Sequence, residues 1–235
     1  YYRPLGRAVG IDECIQKHIA IMDKYDPEHK VDLLVDEWGA WYDVEPGTNP
    51  GHLFQQSTMR DALVASLSLN IFHKYSERVK MANIAQVVNV LQSMILTQDD
   101  KMVLTPTYHV FQMYNVHQNA ALLNVSFPKK PLQKTSNGDI PVIDATASSK
   151  DGLVNVTLCN TDLTGTKKAS VDLGGKYTVV EAKVLGSKDI HDVNTFDKPE
   201  TVRQTSFKDY KVTSTGVDVT LPAHSVVNIT LKAKM

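Results

Sequence analysis

Two carboxylates and two indoles are crowded together between residues 36 and 41, at Asp36, Glu37, Trp38 and Trp41. Trp38 and Trp41 are the only tryptophans in the chain. An ionised carboxylate can attack or stabilise the anomeric carbon of a sugar, and flat aromatic rings pack against a sugar face. The segment therefore indicates carbohydrate chemistry with Glu37 as the candidate reactive group. The alternative is that Glu37 caps a helix or forms an ion pair.

The apolar run at residues 31–35 must position these side chains. It is rich in leucine and β-branched residues, which is typical of a strand buried on both faces in a parallel sheet. In α/β barrels, the catalytic residues lie at the carboxyl ends of such strands. The sequence therefore predicts a barrel strand that ends in Glu37.

Residues 1–118 alternate helical and strand patterns, which predicts a parallel sheet. Tyr1 to Pro4 resembles the end of a strand, and a short strand is predicted at residues 79–81. Helices are predicted over residues 10–24, 53–75 and 108–117. A complete eight-stranded barrel needs about 250 residues, so this segment supplies only the last two or three units, about strands six to eight. We interpret the chain as a fragment.

Residues 119–235 show strict alternation of apolar and polar side chains, which predicts an antiparallel β-sandwich. Asp151-Gly152 and Gly174-Gly175 are predicted hairpin turns between such strands. The polar stretch at 191–207 is predicted to be a surface loop. The alternation is clearest in three runs: Val154, Val156 and Leu158; Val217, Val219 and Leu221; Val227, Ile229 and Leu231.

The composition argues against several classes of function. The chain has 235 residues, 42% of them hydrophobic, and a formal charge of −1, so nothing favours nucleic acid or a membrane as a partner. Cys14 and Cys159 lie far apart in the sequence and in different kinds of segment, so no disulfide framework is expected. No metal or other cofactor is predicted. The spacing of four histidines does not match that of metal ligands: His18, His52, His73 and His109. The compartment is left open between the cytoplasm and the periplasm or exterior.

Four segments in order resemble family 51 glycoside hydrolases, the α-L-arabinofuranosidases. Residues 36–42 (DEWGAWY) resemble the nucleophile segment, although Gly39-Ala40 replaces the Asn-Val that family members often carry. Residues 78–90 are similar to the last barrel strand, residues 101–114 to the helix behind it, and residues 221–227 to the closing strand of the sandwich.

This resemblance implies a (β/α)8 barrel followed by a jelly-roll-like β-sandwich. Family members are retaining enzymes that use two glutamates. Glu37 corresponds to the nucleophile on the seventh strand. The general acid/base belongs to the fourth strand, which lies upstream of Tyr1 and is not in this sequence.

The resemblance also implies substrate contacts at five positions. Trp41 and Trp38 are expected to line the sugar pocket, although Trp41 as a core aromatic at the barrel rim is the alternative. Gln86 is expected to bond the arabinose hydroxyls. Tyr1 or Tyr2 is expected to match the strand-six tyrosine that holds the nucleophile.

By resemblance, the parent enzyme removes terminal α-L-arabinofuranosyl units from arabinan or arabinoxylan. The expected partners are an arabinofuranosyl-containing polysaccharide or oligosaccharide, the missing N-terminal half of the barrel, and further copies in a homo-oligomer. The chain alone is expected to be inactive. Two alternatives are a non-catalytic carbohydrate-binding or scaffold sandwich and a fragment of a related endoglucanase. The scattered aromatic residues of the predicted sandwich argue against the binding module.

Overall fold

The first half of the chain combines helices with a small parallel sheet. The structure is a computed structural model and describes residues 1–234. Strands β1 and β2 pair in parallel, and β3 and β4 form an antiparallel hairpin. The elements are α1 (Tyr2–Tyr25), β1 (Leu33–Trp38), α2 (Met59–Lys74), β2 (Val79–Ile84), β3 (Ile95–Gln98), β4 (Lys101–Leu104) and α3 (Pro106–Tyr114), with 3₁₀ turns at Pro50–His52 and Asn115–His117.

The N-terminal residues form a helix, so the prediction of a strand end at Tyr1 to Pro4 is wrong. Helix α1 begins at Tyr2, well before the predicted start at Gly10. Pro4 is accommodated because the N–H groups of the first helical turn have no partner within the helix. Leu5 and Ile15 anchor the helix in the core.

Strand β1 is covered on one face only, which corrects the prediction of burial on both faces. Leu33 and Val35 pack against the helical core, whereas Leu34 remains 47% exposed. The reason is that β1 has a single neighbouring strand, β2, whose Met81 is exposed in the same way. The predicted parallel pairing is present, but with two strands.

The second half contains a six-stranded antiparallel sheet in the order β12-β11-β15-β9-β8-β5 and a three-stranded sheet in the order β10-β14-β13. The alternating residues of β9, β14 and β15 face one shared core. The elements are β5 (Ala121–Leu123), β6 (Leu132–Thr135), β7 (Gly138–Pro141), β8 (Ile143–Lys150), β9 (Leu153–Asn160), β10 (Lys167–Asp172), β11 (Tyr177–Leu185), β12 (Gln204–Ser206), β13 (Tyr210–Val212), β14 (Gly216–Leu221) and β15 (Ser225–Ala233).

The two predicted hairpin turns have different outcomes. Asp151-Gly152 joins the paired strands β8 and β9, and both residues have positive φ, so that prediction is confirmed. Gly174-Gly175 leads from β10 to β11, which lie in different sheets. It therefore crosses between the sheets, and the hairpin predicted there is wrong.

The stretch at 191–207 is mostly exposed, as predicted for a surface loop, but parts of it contact the helical half. Asn194 and Val202 are buried, and the stretch includes β12. Two hydrogen bonds connect the start of this stretch and the residue just before it to α2. The Arg60 N–H donates to the Ile190 carbonyl oxygen at 3.0 Å, and the Met59 N–H donates to the Asp192 carbonyl oxygen at 3.1 Å. These bonds satisfy N–H groups in the first turn of α2 that have no partner within the helix.

A polar layer joins α2 and the turn after α3 to the six-stranded sheet. His117 contacts the hydroxyls of Ser148 and Thr157 at 2.7 and 2.8 Å, and His73 lies 3.2 Å from the Thr146 hydroxyl. Burial lowers the pKa of His73 to about 4. Burial, and then the neighbouring His73, lower the pKa of His117 to about 3.

Two smaller observations complete the fold. Both cysteines are free thiols; Cys159 is buried in the core and Cys14 is exposed on α1. Within residues 1–234, no helix has the length and hydropathy needed to cross a bilayer.

Candidate active site

Glu37 is an exposed carboxylate at the carboxyl end of β1. Within residues 1–234 its side chain takes part in no hydrogen bond and no ion pair, so it neither caps a helix nor neutralises a cation. It borders an open cavity of about 790 Å³ that is lined by the end of β1 and the segment after it, the first half of α1, and two residues of α2. The other bordering side chains that carry charge or an aromatic ring are Arg3, Arg7, Trp38, Trp41, Tyr42 and Asp43.

The two tryptophans have different environments. Trp41 is 66% exposed in this chain and borders the Glu37 cavity. Trp38 is only 6% exposed and stacks on Phe111 with ring centroids 5.9 Å apart. Phe72 contacts Trp38 edge-on at 5.3 Å. The ring of Trp38 therefore packs mainly in the core.

The structure does not bring the two tyrosines to the Glu37 cavity. Tyr1 precedes α1 and donates its hydroxyl to the Thr161 carbonyl oxygen at 2.9 Å, which ties it to the sandwich. Burial is the main cause that raises the pKa of Tyr1. Tyr2 packs edge-on against Tyr1 with centroids 4.7 Å apart. Because this segment is the start of a helix and not a strand, it cannot supply a strand-six tyrosine from these positions.

Gln86 lies in a separate cavity. It is exposed and borders a depression of about 720 Å³ together with His52, Phe54 and Phe196. The ends of the two parallel strands are nevertheless adjacent, because the Ala85 N–H donates to the Trp38 carbonyl oxygen at 2.7 Å. Gln86 therefore neighbours the strand end that carries Glu37 without sharing its cavity.

Sequence reasoning missed two buried glutamines beneath the Glu37 segment, which we define as residues 37–42. The side-chain oxygen of Gln92 accepts the Ala40 N–H at 2.7 Å. Gln55 donates to the Ala40 carbonyl oxygen at 3.0 Å and accepts the Tyr42 N–H at 2.9 Å. A weak signal was present in the sequence, since Gln92 is one of three polar residues in the mostly apolar run at 87–96.

Tyr42 closes the segment with a second set of contacts. Its hydroxyl donates to a carboxylate oxygen of Asp61 at 2.8 Å, and the Arg60 guanidinium lies 4.1 Å from its ring centroid. Burial, reinforced by the Asp61 charge, raises the pKa of Tyr42. Tyr42 is therefore a neutral donor that ties the segment to the first turn of α2.

The described residues, 1–234, contain no group of three or more histidine, cysteine or acidic side chains able to hold a metal ion. The chemistry that the site offers is that of a free carboxylate beside an exposed indole. Such a pair suits attack on a sugar.

The fold and the site together define a mixed α/β and β-sandwich protein with features typical of a glycoside hydrolase. Residues 36–225 match the family model described as the alpha-L-arabinofuranosidase C-terminal domain. The chain therefore belongs to the α-L-arabinofuranosidase family, as the resemblance predicted.

Individual relatives agree with this assignment. An intracellular exo-alpha-L-arabinofuranosidase of Bacteroides ovatus is 47% identical over 99% of the chain, which covers 46% of that protein. The crystal structure of a GH51 arabinofuranosidase from Xanthomonas axonopodis pv. citri has a TM-score of 0.93 and 48% identity, covering 97% of this chain and 46% of the other. A family 51 enzyme of Bifidobacterium longum, at 23% identity and a TM-score of 0.81, shares the fold; the match covers 98% of this chain and 49% of the other. The chain thus spans about half the length of these relatives.

Proposed function

We propose that this chain is the C-terminal part of a retaining, exo-acting α-L-arabinofuranosidase and that Glu37 is its nucleophile. In this proposal β1 and β2 belong to the end of a (β/α)8 barrel, residues 1–118 form the barrel segment, and residues 119–235 form a jelly-roll-like sandwich. An N-terminal half completes the barrel and supplies the general acid/base.

The exposure of the parallel sheet supports the barrel assignment. Leu34 and Met81 present apolar side chains to solvent on the face of β1 and β2 that the helices do not cover. A barrel interior consists of such side chains, packed in layers contributed by all eight strands. The relatives are about twice as long as this chain, which leaves room for the remaining strands.

The proposed reaction is a double displacement at C1 of a terminal arabinofuranosyl unit. The Glu37 carboxylate attacks C1, and the bond from C1 to the leaving oxygen breaks as the acid from the N-terminal half protonates that oxygen. The product is a covalent arabinosyl ester on Glu37. Water then attacks C1, the second carboxylate takes its proton, and arabinose and the free carboxylate of Glu37 are released. Retention requires the two carboxyl groups to lie about 5–5.5 Å apart.

A single observation carries the proposal: Glu37 is an unpaired carboxylate at a strand end, beside the exposed indole of Trp41. The neighbouring Asp36 is also exposed, but of the two carboxylates only Glu37 borders the cavity that Trp41 lines. An ionised carboxylate without a partner is available to react.

The test is hydrolysis of a terminal α-L-arabinofuranoside by the full-length protein and its Glu37→Gln variant. We expect the variant to lose at least about 10³-fold in kcat, because the amide cannot form the ester. Asp36→Asn is the matched control, since Asp36 is also exposed and lies one residue away on β1. We expect the control to keep most of its activity, and equal activity of Glu37→Gln and wild type would refute the proposal.

The 235-residue chain alone is expected to be inactive, because general acid catalysis is worth about 10²–10⁴-fold and its group is absent. Substantial release of arabinose from arabinan by this chain would contradict that expectation. If both the chain alone and the full-length protein bind arabinoxylan but hydrolyse none of it, the alternative of a carbohydrate-binding module would be favoured. Internal cleavage of a β-glucan by the full-length protein would favour the endoglucanase.

We further propose that the isolated chain self-associates and that the parent is a homo-oligomer. Exposed apolar side chains and open strand edges favour association. Leu34 and Met81 are exposed on the parallel sheet, and Val31 is exposed just before β1. Light scattering on the purified chain tests this, and a stable monomer at high concentration would contradict it.

A further inference from the structure

We propose that Gln55 and Gln92 are positioning residues that fix the segment carrying Glu37 and Trp41. The inference rests on the proposed role of Glu37 as the nucleophile. The two glutamines are 2% and 0% exposed, and neither borders the Glu37 cavity. They therefore act on the reaction through the backbone of the Glu37 segment and not by contact with a sugar.

The two side-chain amides replace the hydrogen bonds that a regular strand would supply. After Trp38 the chain leaves β1 and has no strand or helix until Pro50. Both polar backbone groups of Ala40 and the N–H of Tyr42 are paired with the two glutamines, at 2.7 to 3.0 Å. Buried backbone groups without partners are costly, so these bonds favour one conformation of the segment.

Gly39 makes this conformation possible. Its φ is +138°, a value that side-chain-bearing residues rarely adopt. A Cβ at this position would lie 3.4 Å from the Gln92 side-chain oxygen, so the chain passes close to the glutamine. The turn between Glu37 and Trp41 is therefore shaped to place Ala40 on the two amides.

Gln92 is itself anchored on α2 and α3, two of the helices of the first half. Its side-chain N–H₂ donates to the Asp61 carbonyl oxygen at 2.8 Å and to the Thr107 hydroxyl at 3.1 Å. Asp61 lies in the first turn of α2, where the carbonyl oxygens of Ile190 and Asp192 hold the preceding N–H groups. A continuous set of hydrogen bonds thus connects the sandwich half, through α2 and Gln92, to the Glu37 segment.

Displacement of this segment would move the nucleophile relative to C1 of the sugar. A misplacement of about 1 Å from a substitution away from the chemistry can cost about 10²-fold in rate. The position of a nucleophile affects the transition state more than substrate binding, so the loss is expected in kcat more than in KM.

The experiment uses the full-length protein with the single substitutions Gln55→Met and Gln92→Met, which keep the length of the side chain and remove its polar groups. We expect kcat on a terminal arabinofuranoside to fall about 10- to 100-fold, with a much smaller change in KM. Hydrogen exchange of the peptide covering residues 38–44 should become faster in both variants, a readout that does not depend on activity.

Asn160→Met is the matched control. Asn160 is fully buried, and its side-chain amide also holds backbone groups, the carbonyl oxygens of Gly165 and Pro222 at 3.0 and 2.6 Å. It contacts no residue of the Glu37 segment. We expect this variant to lose thermal stability but to keep kcat and slow exchange of residues 38–44, when all variants are compared below their melting temperatures.

The outcomes separate the inference from the proposed function. Wild-type kcat in both glutamine variants, with Glu37→Gln inactive, would overturn the positioning role and leave the nucleophile in place. A loss of kcat in Asn160→Met as large as in the glutamine variants would also overturn it. Full activity of Glu37→Gln would instead overturn the proposed function. Faster hydrogen exchange of residues 38–44 in the two glutamine variants would still show that Gln55 and Gln92 fix the backbone of the Glu37 segment.

Discussion

The two sheets of this protein differ in how completely they bury their apolar side chains. In β15, at the centre of the six-stranded sheet, Val227, Ile229 and Leu231 are all 0% exposed. In the parallel sheet, Leu34 of β1 and Met81 of β2 are 47% and 43% exposed. The sandwich therefore completes its core from its own strands, whereas the described residues leave one face of the parallel sheet uncovered.

The candidate nucleophile belongs to the less complete of these regions. The sandwich half contributes no residue that borders the Glu37 cavity. It contacts the region through hydrogen bonds, in which the carbonyl oxygens of Ile190 and Asp192 accept N–H groups from the first turn of α2. The proposed reactive group therefore lies in the region whose sheet is partly exposed, and not in the region whose sheets enclose their own core.

The largest expected effect on stability is in the complete region. Ile229→Ala removes a fully buried side chain from the middle of β15 and should lower the free energy of unfolding by about 2–5 kcal/mol. Urea unfolding of the 235-residue chain followed by circular dichroism measures this value. A loss below about 1 kcal/mol would mean that the sandwich core relaxes around the cavity.

The junction between the two regions should be sensitive to acid. The pKa values of His73 and His117 are lowered by burial from 6.5 to about 4 and about 3. Between pH 6.5 and about 4 the unfolded chain binds protons that the folded chain does not. The free energy of unfolding should therefore fall as the pH falls through this window, by about 1 kcal/mol per pH unit for each histidine.

Urea unfolding at a series of pH values tests this dependence. The double variant His73→Gln and His117→Gln keeps polar side chains for the hydroxyls of Thr146, Ser148 and Thr157 but removes the titrating group at both positions. We expect a flatter pH dependence in the double variant. An unchanged slope would show that the acid sensitivity arises elsewhere.

The smallest expected effect is at the exposed face of the parallel sheet. Leu34→Ala in the 235-residue chain should change the free energy of unfolding by about 0.5 kcal/mol or less, because the side chain is half exposed. In the full-length protein, where we propose that further barrel strands cover Leu34, the same substitution should cost about 2 kcal/mol or more. Equal costs in the two proteins would argue against the barrel.

Local patterns predicted much of the fold. The alternating runs at Val154, Val217 and Val227 became strands because each places one face on a shared core. Residues 1–4 were not predicted correctly: they were interpreted as the end of a strand, although the first turn of a helix tolerates a proline such as Pro4. Strands β10 and β11 belong to different sheets because each pairs with strands that are distant in sequence. A local turn motif such as Gly174-Gly175 does not encode those long-range contacts.

The candidate site was predictable only in part. The position of Glu37 at a strand end followed from the apolar run before it. The roles of Gln55 and Gln92 did not follow, because their partners on Ala40 are 15 and 52 positions away in sequence. The sequence did not separate Glu37 from Asp36 by position, whereas in the structure both are exposed and only Glu37 borders the cavity that Trp41 lines.

Trapping of the covalent intermediate tests the central claim most directly. The full-length protein is incubated with a fluorinated arabinofuranoside that forms the glycosyl-enzyme faster than it hydrolyses, and the digested protein is analysed by mass spectrometry. We predict one added sugar on the peptide that contains Glu37, and none in Glu37→Gln. A sugar attached to a different carboxylate, with the Glu37 peptide unmodified, would contradict the account.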